Sequence, residues 1–364
     1  MSESEVVFET RGPLGIVTLT RPKALNALTL GMIDRIAPQL DAWAADDGVK
    51  AVAIRGEGEK AFCAGGDVRA VWEAGRTAKA EGSLQRGKPG QLTADFFRAE
   101  YKLNRQIFHY PKPYIALIDG ITMGGGVGLS VHGSHRVAGE RTMLAMPETG
   151  IGLFPDVGGS YFLPRLPGEM GLFLALTGER VKAADACALG IATHFVPGDG
   201  EAAVLEGLIE ADWSGEAKAT ANEVLSGLAG TPGEASLAVH RSEIDVAFAQ
   251  DSVEEILAAL EASGSNFLRE RRDRLAGFSP TSMKLTFAQL RLGRQLDFDA
   301  CMTMEYRLSQ ACMAGHDFYE GIRALLVDKD RDPKWDPASL AEVADAGIEA
   351  MFAPLGEYDL RFPG

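Results

Sequence analysis

Two short, mainly apolar runs constrain this chain most. Residues 49–55 (VKAVAIR) and 114–119 (YIALID) are too short for independent helices and carry no alternation, so each predicts a strand of buried type. A buried strand needs cover. Residues 29–45 and 94–109 have helical periodicity, the second stopped by Pro111 and Pro113. Residues 6–9 and 15–20 (GIVTLT) predict two more strands around an RGP turn. Residues 75–93 are polar, with scattered glycines and a proline, and predict a mobile loop. The order strand–loop–helix recurs to about Pro197 and predicts an α/β architecture. Beyond it residues 200–222, 252–262, 282–292 and 299–314 have helical composition. The expected division is an α/β core over residues 1–197 and a helical carboxy-terminal region, 198–364, packed on it.

Bulk properties narrow the partners. The 364 residues are 46% apolar and 24% charged, an ordinary globular balance. A formal net charge of −15 argues against nucleic acid as partner, because phosphate binding needs a basic surface. A polyanionic small molecule is still admitted, through local cations or oriented amides. Cys63, Cys187, Cys301 and Cys312 form no CxxC pair and have no closely spaced histidine, so no metal is expected. No apolar run approaches the roughly 20 residues that span a bilayer. The acidic start, MSESEVVFET, resembles neither a signal peptide nor an Arg-rich transit peptide, and predicts a cytoplasmic protein.

Three glycine segments carry the candidate chemistry. Residues 61–67 (AFCAGGD) follow a predicted strand and read either as a tight turn or as a loop that aims amides at a ligand. Residues 119–128 (DGITMGGGVG) join a strand to a helix and read either as close helix–strand packing or as a helix N-terminus presenting free N–H groups to an anionic or polarised oxygen. Their spacing is not the dinucleotide-binding fingerprint. Residues 146–159 (MPETGIGLFPDVGG) place Glu148 and Asp156 beside glycines. Each acid also has a structural reading, Glu148 as a loop or ion-pair residue and Asp156 as the N-cap of a helix over VGGSYFLPRL.

Taken in order, RPKALNAL, AFCAGGD, DGITMGGGVGL, MPETGIGLFPDVGG and LTGERVKAADACALGIATHFV resemble the enoyl-CoA hydratase/isomerase (crotonase) superfamily over residues 6–197. The GGD loop, IGLFPDVGG, FSPTSMKLT at 278–286 and residues 302–335 are similar to a subgroup that hydrolyses 3-hydroxyacyl-CoA thioesters. Short hydratases lack most of this distal extension, and residues 200–277 are its least diagnostic part.

The resemblance implies a crotonase-like spiral core of repeated ββα units with a helical carboxy-terminal region. It implies an acyl-CoA substrate, no separate cofactor because coenzyme A is part of the substrate, and it allows a homo-oligomer. The implied oxyanion hole is the backbone N–H pair of Gly66 and Gly125, and such a donor contributes about 3–4 kcal/mol in a dry site. Hydratases of the superfamily use two glutamates. One matches Glu148, while the other falls at Gly128, which has no side chain. The hydrolase subgroup instead carries an aspartate matched by Asp156. Glu148 is therefore expected as the principal catalytic carboxylate, either attacking the thioester or activating water. Asp156 is expected to orient the hydroxyacyl group or water, and Glu100 to line the substrate pocket, with an exposed helix position as its alternative. Cys63 lacks a placed histidine base and is not expected to be a nucleophile. His109, His132 and His135 are expected to be structural. The implied reaction is hydrolysis of a short 3-hydroxyacyl-CoA, in particular 3-hydroxyisobutyryl-CoA from valine breakdown. The alternatives are hydration or isomerisation of an enoyl-CoA, and non-catalytic acyl-CoA binding.

Overall fold

The structure, a computed structural model, describes residues 4–362. Residues 1–3 and 363–364, the outermost parts of the acidic amino terminus and the carboxy-terminal tail, lie outside it. Ten strands are described: β1 (Val6–Arg11), β2 (Leu14–Leu19), β3 (Ala51–Gly56), β4 (Ala61–Cys63), β5 (Tyr114–Leu117), β6 (Ile121–Met123), β7 (His135–Ala138), β8 (Met143–Ala145), β9 (Val181–Lys182) and β10 (His194–Phe195). Both apolar runs are strands, β3 and β5, with Ala51–Ile54 and Tyr114–Leu117 buried. The β1–β2 hairpin turns at Gly12, whose φ of +58° suits a residue without a Cβ.

One sheet has the order β1-β2-β3-β5-β7-β10 and a second β4-β6-β8-β9. Successive strands alternate between the two: β3 to β4, β5 to β6, β7 to β8. The links inside each pair are too short for a crossover helix, so the chain bends from one sheet into the other. The longer stretches after β4 and β6 return it, which permits the parallel pairings β3·β5, β5·β7, β4·β6 and β6·β8. These turns are the spiral core that the sequence resemblance implied.

By compactness the chain forms two units of three segments each. The first comprises the residues up to Gly66, Lys102–Ala145 and Arg180–Ser236; the second comprises Asp67–Tyr101, Met146–Glu179 and the residues from Leu237 onward. All ten strands belong to the first. Alternate residues of the large sheet, Leu14 and Ile16, Ala51 and Ala53, Ile115 and Leu117, form one apolar face. Val204, Leu208, Ala221 and Leu225 cover it from the helices Gly200–Glu210 and Ala217–Leu228. Each fully buried valine, leucine or isoleucine here contributes about 1.5–3 kcal/mol. A boundary at residue 197 follows secondary-structure content, whereas the compact sheet unit includes these two helices.

Two local expectations are corrected. Residues 200–222 are two helices, because the chain turns at residues 211–216 and Glu216 caps the second by accepting from the Lys218 and Ala219 amides. Residues 75–80, expected in a loop, complete the helix Val68–Ala80. Gly75 lies directly against the Tyr319 ring, where a Cβ would overlap it. Glycine here serves close approach within the second unit, not a chain break. No helix among the described residues is long and apolar enough to cross a membrane.

Candidate active site

The two candidate oxyanion glycines belong to the sheet unit. Gly66 follows β4 and forms a parallel bridge with Leu28, while the Leu28 amide donates to the Gly65 carbonyl at 2.8 Å. Gly125 opens the short helix Gly125–Gly128 after β6, so its N–H is a first-turn donor with no intrahelical acceptor. β4 and β6 pair in parallel, which brings these loops to one end of the sheet. A Cβ on Gly126 would overlap the Cys63 carbonyl, and one on Gly65 would come to 3.6 Å from the Met123 carbonyl. Side chains are thus excluded where the two loops approach. Cys63 is fully buried, with its Sγ 3.5 Å from the Gly65 carbonyl oxygen. His135 is buried beside Ser134 and His194, and burial lowers its pKa to about 4.

Glu100, Glu148 and Asp156 lie in the helical unit. Glu148 starts the 3-10 turn Glu148–Ile151, which Gly152 closes at φ +73°. Gly152 packs against the Asp317 backbone, leaving no room for a Cβ. Thr149 donates to the Leu176 carbonyl at 3.0 Å and anchors the same turn. Glu148 is 5% exposed, and its Oε2 has no hydrogen-bond partner among the described residues. Burial first, then the nearby Asp156 charge, raises its pKa well above the ordinary carboxylate range.

Asp156 is 4% exposed and accepts from the Tyr101 hydroxyl at 2.7 Å. Its pKa stands near 6: burial raises it, and the tyrosine bond opposes that rise. The following helix takes Gly158 as N-cap without a side-chain bond, so the Asp156 carboxylate is not spent on capping. Glu100 is buried, contrary to the exposed-helix alternative, and its Oε1 has no hydrogen-bond partner among the described residues. Desolvation followed by the charges of Asp156, Glu148 and Glu305 raises its pKa well above normal.

A fourth acid, Glu305, was read in the sequence only as part of a helix. It is fully buried on the helix Phe298–Ala314 and accepts from the Gly158 and Ser160 amides, each at 2.8 Å. Burial pushes its pKa up to about 8, against those two bonds. Tyr101 was also missed. The available signal was a charged or phenolic group set among apolar neighbours: Glu305 lies between Met304 and Tyr306, and Tyr101 four residues after Phe97. These four buried carboxyls of the helical unit are pushed toward their protonated forms by burial first and, for all but Asp156, by neighbouring carboxylate charge second. Such acids are suited to taking and returning a proton near neutral pH.

The sequence profile of the enoyl-CoA hydratase/isomerase family matches residues 14–352. The chain is 51% identical to a Danio rerio protein named 3-hydroxyisobutyryl-CoA hydrolase, mitochondrial, covering 98% of this chain and 92% of that one. A Xenopus tropicalis protein of the same name is 49% identical, covering 99% and 92%. Among solved structures, a carnitinyl-CoA dehydratase from Mycobacterium thermoresistibile superposes with a TM-score of 0.89 at 41% identity, covering all of both chains. The cytoplasmic expectation is overturned by the two relatives, both named as mitochondrial. An acidic first stretch was a weak guide, because compartment is read from address signals and not from the folded chain.

Proposed function

This chain belongs to the enoyl-CoA hydratase/isomerase family, and from that premise we propose that it hydrolyses 3-hydroxyisobutyryl-CoA to 3-hydroxyisobutyrate and coenzyme A. The observation that carries the reading is Glu148: a buried carboxyl with one oxygen free of protein partners, beside the second acid Asp156. A hydratase built on two glutamates needs a carboxylate at position 128, and Gly128 supplies none.

The chemistry assigns roles by residue. The Gly66 and Gly125 amides donate to the thioester oxygen as it gains charge, about 3–4 kcal/mol for an important donor. Glu148 either attacks the carbonyl carbon, forming an anhydride that water opens, or removes a proton from the attacking water. In both routes the C–S bond breaks, water supplies the new carboxyl oxygen, and the thiolate takes up a proton. Asp156 orients the hydroxyacyl group or water and assists proton transfer, and Glu100 lines the acyl site. Coenzyme A is substrate, and the reaction as written uses no further cofactor. Its place is in valine breakdown.

Release of free thiol from 3-hydroxyisobutyryl-CoA tests the reading. The wild type should release it, and Glu148→Ala should reduce the rate by roughly a hundredfold or more. Unchanged release in the variant removes Glu148 from the chemistry. The dehydratase named among the structural neighbours motivates a second assay, hydration of crotonyl-CoA. Robust hydration without thiol release would replace the hydrolase by a lyase.

A further inference from the structure

The turn that carries Asp156 is held from both sides by side chains far along the chain. Val157 and Gly158 are consecutive left-handed residues, at φ +51° and +88°. For a β-branched residue this conformation costs on the order of 1–3 kcal/mol and persists only where the surroundings over-determine it. On one side, Gln289 donates from Nε2 to the Pro155 carbonyl at 2.5 Å. On the other, Glu305 Oε2 accepts from the Gly158 amide and its Oε1 from the Ser160 amide. Gly293, on the same helix as Gln289, lies so close to the Ser160 carbonyl that a Cβ would overlap it. We propose that Glu305 is a positioning residue for Asp156, acting through the backbone of residues 156–160, with Gln289 as its counterpart at Pro155.

Two amides are aimed at one side chain, and the Glu305 carboxyl group meets each with a separate oxygen. Placing that carboxylate at 0% exposure is costly, and no cation offsets it among the groups that act on it. The groups facing it are Asp156 from the turn, Glu100 and Tyr101 from the helix Leu92–Phe108, and Cys301 from its own helix. An apolar residue with a water or a serine would satisfy the amides without burying a charge. Retaining glutamate fixes the backbone on both sides of Gly159 through one side chain, and with it the place of Asp156.

The inference rests on the proposed hydrolysis, and Glu305→Gln tests it. The amide keeps the shape, replaces one acceptor by a donor facing an N–H, and removes the charge. The expected result is a kcat about 10- to 100-fold lower, with KM within about threefold of wild type. The alkaline limb of the kcat/KM profile, where Glu305 titrates near 8, should disappear in the amide, which does not ionise. Gln289→Leu should lower kcat without moving that limb. A crystal structure of Glu305→Gln should show Val157 leaving the left-handed region, a result independent of the substrate chosen. A purely structural glutamate would lower the melting temperature while leaving kcat and the limb in place, which overturns the proposal. Should Glu305→Gln not fold, wild-type kcat in both Glu305→Asp and Gln289→Leu overturns it equally. A wild type without thiol release, together with a displaced turn in the variant, would sink the hydrolysis reading and leave the positioning role standing.

Discussion

Tyr101 donates its hydroxyl to Asp156 Oδ2 across 2.7 Å, inside a unit where both side chains are almost wholly excluded from solvent. The bond favours the ionised form of Asp156 and is the main force opposing the upward push of burial. Hydrogen bonds to charged groups contribute about 1.5–3 kcal/mol, so Tyr101→Phe should raise the Asp156 pKa by roughly one to two units. The acid limb of the thiol-release profile should therefore move to higher pH. A limb that stays in place would separate Asp156 from that limb.

The buried acids also make stability depend on pH, with a definite sign. A carboxyl whose folded-state pKa is raised holds its proton more tightly when folded. Its stabilisation is complete below the unfolded value and is lost as pH rises through the folded one. For Asp156 the window runs from 3.8 to about 6, and for Glu305 from 4.5 to about 8. The melting temperature should fall between pH 5 and 8, and Asp156→Asn should flatten the lower part of that slope. Differential scanning at stepped pH reads this directly, and a melting temperature that climbs over the range would contradict it.

Two glycines should respond in opposite directions to alanine. At Gly126 a methyl group would overlap the Cys63 carbonyl, so Gly126→Ala should destabilise by about 1–3 kcal/mol and depress thiol release. Gly227 is an exposed position in the helix Ala217–Leu228, where an added methyl group would meet nothing within 4 Å. There alanine should stabilise by about 0.5–1 kcal/mol through helix propensity. Urea denaturation of both variants decides the pair.

Cys63 sits beside the Gly65–Gly66 loop yet has no part in the proposed chemistry. Its thiol is buried and contacts a carbonyl. Cys63→Ala should retain thiol release within about threefold, since only a small buried contact is lost. Loss of all activity in a folded variant would restore it as a nucleophile candidate.

The strands at residues 51–56 and 114–117 were readable because an apolar run of that length has few other fates. The acids Glu148 and Asp156 were readable because glycine-rich segments mark where backbone is put to use. Glu305 and Gln289 were not, because nothing local distinguishes them from other helix residues. Their meaning arises from partners 134 to 147 residues away. Likewise Gly75 reads as a breaker until the Tyr319 ring it accommodates is known. Local chemistry was legible; the supports that arrive from distant sequence were not.

The interleaving of segments has a consequence for biosynthesis. Each compact unit is assembled from three separated stretches, and both need residues beyond 179. A nascent chain emerging from the ribosome can make β1 to β8 while the apolar face of its large sheet still waits for Val204 and Leu225. The Asp156 turn remains without its carboxylate clamp until Glu305, 147 residues after Gly158, has emerged. Completion of either unit thus waits on segments made well after its first one, and until then apolar surface stays uncovered.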